Sequence, residues 1–152
     1  MAEENQFTIE MQHVQGLEFR VRFDQEKMGE LSVGGGAAPT ASRLLAAAAA
    51  NCLSASLLYC VAKNSPPPGA LQAKALCTLV RNGKGRTRIG DIAVTLQVNG
   101  ELEQAVRMQH CLDLYEEFSV AAVSLRQGFP VSVRVVNEQG ETLQQNPGHD
   151  AE

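Results

Sequence analysis

Four cysteines, at positions 52, 60, 77 and 111, carry the most reactive side chains of this 152-residue chain. Cys52 lies in an alanine-rich run without charged residues that extends over residues 44–60. Small side chains let another backbone approach closely, so a thiol in such a run is expected inside a tight helix contact. The thiol is therefore either an unreactive side chain that packs in the core or a reactive group that is shielded from water.

The spacing of cysteines and histidines argues against a metal site. The sequence contains no Cys-x-x-Cys, and its three histidines are scattered rather than paired at ligand spacing. His110 is interpreted as a chance neighbour of Cys111, because adjacent residues on a helix point about 100° apart. We therefore predict no bound metal.

Charge and hydropathy limit the partners and the compartment. Thirteen basic and seventeen acidic residues give a formal net charge of −4, which argues against nucleic acid or an anionic membrane as the main partner. The first six residues are polar and acidic and do not resemble a signal peptide, so a cytoplasmic location is predicted. The apolar run over residues 44–62 is interpreted as a buried helix rather than a membrane span, because alanine, asparagine and serine keep its hydropathy low.

The pattern along the chain predicts one α+β domain over residues 1–152, with a core from 5 to 137. Alternating residues predict a hairpin at 6–14 and 17–24, a short third strand at 28–33, and strands at 71–81 and 86–98. A helix capped by Thr40 is predicted to extend to about Lys63, and a second helix to occupy 101–126. A last strand at 130–136 and a loose polar tail from about Gln144 complete the order β-β-(β)-α-β-β-α-β.

Two sequence blocks resemble the OsmC/Ohr family of proteins that handle organic hydroperoxides. The first is Ala38-Pro39 followed by the run over 44–58 that contains Cys52, and the second spans 111–120 and 124–133. Together with the element order, these blocks cover most of residues 5–137. The resemblance implies antiparallel sheets around two long central helices, and two subunits interleaved into a homodimer with active sites at the subunit interface.

The resemblance also implies a chemistry for Cys52. It would be a peroxidatic thiol, whose thiolate attacks an alkyl or fatty-acid hydroperoxide and becomes a sulfenic acid. Its own helix dipole cannot lower its pKa, because Cys52 lies about twelve residues, or roughly 18 Å, beyond the cap. A guanidinium is therefore expected to activate it, with Arg20 and Arg22, placed on opposite faces of the second strand, as the candidates.

Two positions depart from the family pattern. Ser42 stands in the first turn of the cysteine helix where the family has a glutamate, and Ser119 stands where close relatives have the resolving cysteine. Serine cannot form a disulfide with an oxidised thiol. The sulfenic acid of Cys52 would therefore need an external thiol or dithiol as reductant, with no cofactor.

Cys60 and Cys111 are expected to lie opposite each other. Cys60 is eight residues, or roughly 12 Å, from Cys52 along one helix, too far for a disulfide between them. If Ser119 faces Cys52 and the two helices are antiparallel, the eight-residue steps bring Cys60 opposite Cys111. We favour a pair of packed free thiols over an accessory redox pair, and we interpret Cys77 as core packing.

Two functions remain open at this point. The favoured one is a thiol-dependent peroxidase that reduces organic hydroperoxides through Cys52 in oxidative stress defence. In the alternative, the protein has the same fold but does not turn over hydroperoxide. It is a dimer that binds a small hydrophobic ligand or acts as a slow redox sensor. The serines at positions 42 and 119 favour the alternative, and the intact setting of Cys52 favours the enzyme.

Overall fold

A computed structural model describes residues 5–63, 65–128 and 131–148. Its N-terminal part is an antiparallel sheet in the order β1-β2-β3. These strands are β1 (Ile9–Gln15), β2 (Glu18–Phe23) and β3 (Leu31–Val33). The turn of the first hairpin contains Gly16 at φ 52°, a left-handed conformation that favours glycine. The predicted hairpin and short third strand are confirmed.

The long cysteine helix, α1 (Ala41–Ala62), is also confirmed. The Thr40 hydroxyl accepts a hydrogen bond from the backbone N–H of Arg43 at 3.4 Å, which is the predicted cap. By length and composition α1 could span a membrane, a test that the core helix of a soluble protein also passes. In the single chain 28% of its most apolar window is buried. The buried residues form one face: Ala46, Ala49, Ala50, Leu53, Leu57 and Val61.

A long antiparallel hairpin supports α1. It consists of β4 (Leu71–Arg81) and β5 (Thr87–Val98), as predicted, and α1 packs against β4. At its tip the Asn82 side-chain oxygen accepts hydrogen bonds from the backbone N–H groups of Lys84 and Arg86, at 3.0 and 2.9 Å. The α+β class with antiparallel sheets is therefore confirmed.

The prediction of a single second helix over residues 101–126 is wrong. The segment contains α2 (Gly100–Glu103), α3 (Met108–Leu114), a 3₁₀ turn (Tyr115–Phe118) and α4 (Val120–Gln127). The segment contains no glycine or proline at these breaks, and its apolar residues recur every three or four positions across them. The sequence pattern therefore does not indicate the breaks. Valines 106 and 120 border the breaks, and β-branched residues are weak helix formers. One long helix and three short ones thus replace the two long helices that we expected.

A buried cluster joins the short helices to α1. Its members are Leu57, Val61, Leu102, Met108 and Cys111. Within it Cys111 forms a disulfide with Cys60, with a Cα–Cα distance of 5.7 Å. The prediction that these cysteines lie opposite each other is confirmed, but the favoured interpretation as free thiols is wrong. Because α3 is short and separate from α2 and α4, it can take its own position and bring Cys111 within disulfide range of α1. A continuous helix over the whole segment would not have this freedom.

This disulfide leads to the first testable prediction. The double variant Cys60→Ser/Cys111→Ser should lose about 4 kcal/mol of unfolding free energy, because the cross-link restrains the unfolded chain over a sequence separation of 51 residues. Urea denaturation with and without reductant measures this loss, and reduced wild type should match the variant. Unfolded, unreduced protein should show two free thiols, Cys52 and Cys77. Four free thiols and equal stability in all samples would contradict the prediction.

The C-terminal part holds one strand more than expected. Strand β6 (Val133–Val136) lies within the predicted last strand, whose first residue, Pro130, is outside the described residues. A further strand, β7 (Thr142–Asn146), pairs with β6 in antiparallel register. The prediction of a loose tail from Gln144 is therefore wrong for residues 144–146, because their backbone is hydrogen-bonded to β6. Residues 149–152 of that tail lie outside the described residues.

Candidate active site

The Cys52 thiol lies half-buried on α1, where α1 meets the start of α4. The Cys52 sulfur accepts a hydrogen bond from the backbone N–H of Ala121 at 3.4 Å. Ala121 is the second residue of α4, whose cap residue, Ser119, makes no capping hydrogen bond with its own side chain. The Cys52 sulfur, on α1, thus accepts a hydrogen bond from the first turn of α4, as the side chain of an N-cap residue would.

The environment lowers the pKa of Cys52. Burial by itself would raise this pKa, but the Ser119 hydroxyl and the backbone N–H groups of Ala121, Ala122 and Val120 outweigh it. These N–H groups belong to the first turn of α4, the positive end of its dipole. In the single chain the thiolate is thus stabilised by a helix N-terminus and a hydroxyl rather than by the guanidinium that we expected.

The break before α4 makes this arrangement possible. Ser119 has a ψ of 88°, outside the helical region, so the N–H groups that follow it have no partners within a preceding turn. In a continuous helix these groups would be bonded to carbonyls four residues earlier. The interruption that sequence periodicity concealed therefore creates the donors that face Cys52.

Ser119 is a fully buried polar residue next to the thiol. Its side chain is 0% exposed, and its hydroxyl forms no hydrogen bond of normal geometry within the described part of the chain. It is nevertheless close enough to the Cys52 sulfur to lower the pKa of that thiol. A buried hydroxyl without a regular partner is unusual, and a thiolate would supply the acceptor that it lacks.

The Ser119 hydroxyl gives a prediction about pH. In Ser119→Ala the pKa of Cys52 should rise, because one group that stabilises the thiolate is removed. As the pH is lowered, the rate of Cys52 alkylation by iodoacetamide should then begin to fall at a higher pH than in wild type. Near pH 7 the rate in the variant should be roughly tenfold lower, as expected for loss of a hydrogen bond to a charged group. Mass spectrometry of the Cys52 peptide measures the rate. Coincident pH profiles for the two proteins would contradict this role of Ser119.

The other predicted site residues lie elsewhere in the single chain. Arg20 and Arg22 share one face of β2, not opposite faces as expected, because residues two apart on a strand point the same way. Each pairs with Glu30, at 3.6 Å, and they line a separate cavity with it. Ser42 lines another cavity, between α1 and β4, which also includes Cys77. The first turn of α1 contains no acidic residue.

An open cavity of about 850 Å³ borders Cys52 and extends along α1. Its walls are mainly apolar near Cys52 and basic at the opposite end. The lining residues are Asn51, Cys52, Ala55, Ser56, Tyr59, Cys60, Lys63, Arg107, His110, Leu114 and Phe118. A ligand in this cavity would contact a thiol of lowered pKa. Within the described residues no three histidine, cysteine or acidic side chains lie close enough to hold a metal ion.

Comparisons with known proteins support the fold. No protein-family model and no curated protein matches the sequence. Among solved structures, an OsmC-like protein of unknown function from Vibrio cholerae aligns with a TM-score of 0.59 at 16% identity, over 80% of this chain and 94% of that one. A candidate osmotic stress induced and detoxification response protein from Psychrobacter arcticus aligns with a TM-score of 0.61 at 14% identity, over 82% and 91%.

A third solved structure carries a functional name. The organic hydroperoxide resistance protein OhrB of Bacillus subtilis aligns with a TM-score of 0.53 at 12% identity, over 78% of this chain and 90% of that one. Identities this low show shared architecture and nothing finer. The chain therefore has the OsmC-like fold, as the resemblance of its two sequence blocks predicted.

Proposed function

We propose that this chain is a cytoplasmic thiol-dependent peroxidase of the OsmC/Ohr family, which reduces organic hydroperoxides through Cys52. The observation that carries the proposal is the hydrogen bond from the N-terminus of α4 to the Cys52 sulfur, with the lowered pKa that accompanies it. A thiolate is the nucleophilic form of cysteine, and here it borders a cavity large enough for an organic molecule.

The proposed reaction starts from the Cys52 thiolate. The sulfur attacks the terminal oxygen of the hydroperoxide, a sulfur–oxygen bond forms, and the oxygen–oxygen bond breaks. Cys52 becomes a sulfenic acid, and the alkoxide takes a proton from water to leave as an alcohol. Sulfur loses two electrons and the peroxide gains them. The N–H groups of Val120, Ala121 and Ala122 hold the thiolate before the attack.

An external thiol completes the proposed cycle. Ser119 lies next to Cys52 but cannot form a disulfide, and Cys60 is bonded to Cys111. A thiol reductant attacks the sulfenic sulfur, releases water and leaves a mixed disulfide. A second thiol then displaces Cys52 as the free thiol and leaves as the oxidised disulfide. A small dithiol supplies both groups in one molecule.

The single chain leaves apolar surface that a homodimer would cover. Phe7, just before the N-terminal hairpin, is 71% exposed, and Leu17, in its turn, is 80% exposed. Much of α1 is also open on one side. Apolar exposure on this scale favours association. We expect light scattering to give a mass near twice the 16.3 kDa of one chain. A monomer at micromolar concentration would contradict the interleaved homodimer. In such a dimer Arg20 and Arg22 remain proposed activators of Cys52.

A second function has its own supporting observation. The buried Ser119 hydroxyl stands where a resolving thiol would act, so a Cys52 sulfenic acid would persist within the subunit. A persistent sulfenic acid suits a slow redox sensor, and the open cavity suits a dimer that binds a small hydrophobic ligand. This alternative predicts one oxidation per chain and, with a dithiol present, reduction of the sulfenic acid too slow to sustain turnover.

Turnover separates the two functions. Purified protein is mixed with cumene hydroperoxide and a small dithiol, and the loss of hydroperoxide is followed over many equivalents. The peroxidase consumes hydroperoxide continuously at a rate proportional to the protein concentration. A single equivalent consumed per chain would support the sensor, and no consumption above the dithiol background would contradict both redox functions.

A further inference from the structure

An ion pair bridges the helix break that creates the donors for Cys52. The Arg126 guanidinium, in the last turn of α4, lies 2.8 Å from the Glu116 carboxylate. Glu116 belongs to the 3₁₀ turn that precedes Ser119. The two charged residues are ten positions apart in the chain, and Ser119 lies between them. The pair therefore joins the C-terminal end of α4 to the turn that α4 follows.

The regular backbone hydrogen bonds on both sides of the break end at Ser119. Its N–H donates to the carbonyl of Glu116 at 3.0 Å, which completes the 3₁₀ turn. Its carbonyl accepts from the N–H of Val123 at 3.0 Å, which begins α4. Because the ladder of helical hydrogen bonds is interrupted here, it does not fix the direction of α4 relative to the turn. A side-chain contact across the break can fix it.

The Glu116 carboxylate is itself held by a residue of the core. Tyr115 packs against the buried cluster that joins the short helices to α1. Burial and the neighbouring Glu116 carboxylate, with which the Tyr115 hydroxyl forms a hydrogen bond, raise the pKa of Tyr115. The neutral hydroxyl donates in this contact. The carboxylate that binds Arg126 is thus tied through Tyr115 to the helix that carries the reactive thiol.

Neither charge of the pair acts on the Cys52 sulfur directly. Burial, the Ser119 hydroxyl and the backbone N–H groups at the start of α4 determine the pKa of Cys52, and neither Glu116 nor Arg126 is among the causes. The two side chains are 48% and 58% exposed, so water and salt screen their charges. An effect of the pair on Cys52 must therefore come from the position of α4.

We propose that Glu116 and Arg126 are positioning residues, whose ion pair holds the first turn of α4 against the Cys52 sulfur. Arg126 is six residues beyond Val120, so the pair fixes α4 roughly 9 Å along its axis from the end that faces the sulfur. With its far end tied, α4 is less free to turn its N–H groups away. The consequence for hydroperoxide reduction rests on the proposed function, whereas the alignment of α4 with the thiol does not.

The pH dependence of Cys52 alkylation tests this role without hydroperoxide. Glu116→Gln and Arg126→Gln should each lower the rate with iodoacetamide near pH 7 about threefold, the size expected for loss of an exposed ion pair. Both profiles should move to higher pH. A direct effect of charge would move them in opposite directions, since the two variants remove charges of opposite sign. Glu117→Gln removes an exposed carboxylate from the same turn and, as the control, should match wild type.

Exchange of the two charges provides a rescue. In the double variant Glu116→Arg/Arg126→Glu the ion pair can form in reverse, so Cys52 should react faster than in either single variant. Opposite shifts in the single variants, or profiles that coincide with Glu117→Gln, would overturn the positioning role. A double variant whose loss equals the product of the two single losses would overturn it as well. Absence of hydroperoxide turnover in wild type would contradict the peroxidase and leave these alkylation results unchanged.

Discussion

Replacement of Cys52 by serine should abolish hydroperoxide consumption. The Cys52 sulfur is the nucleophile of the proposed reaction, and a serine hydroxyl is not ionised at neutral pH even when it faces the same N–H groups. We expect kcat/KM with cumene hydroperoxide and a dithiol to fall by at least about 10³-fold, as for loss of an enzymatic nucleophile. Stability should change little, because serine is close to cysteine in size and can still accept from Ala121.

Cys77→Ser is the matched control for this variant. Cys77 is the other free cysteine among the described residues, and it lines a different cavity, between α1 and β4. Its replacement should leave kcat/KM within about twofold of wild type, since it touches no part of the proposed reaction. A Cys52→Ser protein that folds normally and keeps its activity, or equal losses in both variants, would contradict the assignment of Cys52.

Replacement of Ser119 by cysteine should convert the site to intramolecular resolution. The introduced thiol would lie beside the Cys52 sulfur, where the Ser119 hydroxyl already interacts with it. After oxidation it can attack the sulfenic sulfur, release water and form a disulfide. A thiol held at such a distance reacts far faster than one in solution, so trapping of the sulfenic acid by dimedone should fall by at least about tenfold.

Peptide mapping detects the engineered disulfide. After one equivalent of cumene hydroperoxide, the peptides that contain positions 52 and 119 should be cross-linked in Ser119→Cys and not in wild type. Ser124→Cys, more than one turn further along α4, introduces a thiol into the same helix and serves as the control. If the two engineered proteins trap dimedone equally and neither is cross-linked, the proximity of position 119 to the reactive sulfur is contradicted.

The resemblance and the sequence pattern predicted the scaffold well. Alternation predicted the hairpins, the Thr40 cap and the small-residue run predicted α1, and a step of eight residues placed Cys60 opposite Cys111. The strands and α1 depend on local patterns, which a sequence displays directly. The eight-step argument for the two cysteines gave the right pair although the second helix that it assumed is broken between Cys111 and Ser119. The position of Ser119 beside Cys52 followed from the resemblance alone.

The activating environment of Cys52 could not be predicted in the same way. It depends on the end of one helix and the start of another at Ser119, within an apolar pattern that continues through the break. The donors are backbone N–H groups, which every residue except proline carries, so no residue type signals them. The hydrogen bond from Arg107 to the Cys60 carbonyl could not be predicted for a similar reason, because it joins residues far apart in the chain.

Trapping of oxidised Cys52 tests whether its sulfur is the atom that reacts with hydroperoxide. Wild-type protein is treated near pH 7 with one equivalent of cumene hydroperoxide in the presence of dimedone, and its peptides are analysed by mass spectrometry. The proposed reaction predicts a dimedone adduct on Cys52 and none on Cys77, because the N-terminus of α4 faces the Cys52 sulfur. An unmodified Cys52 under these conditions would contradict it.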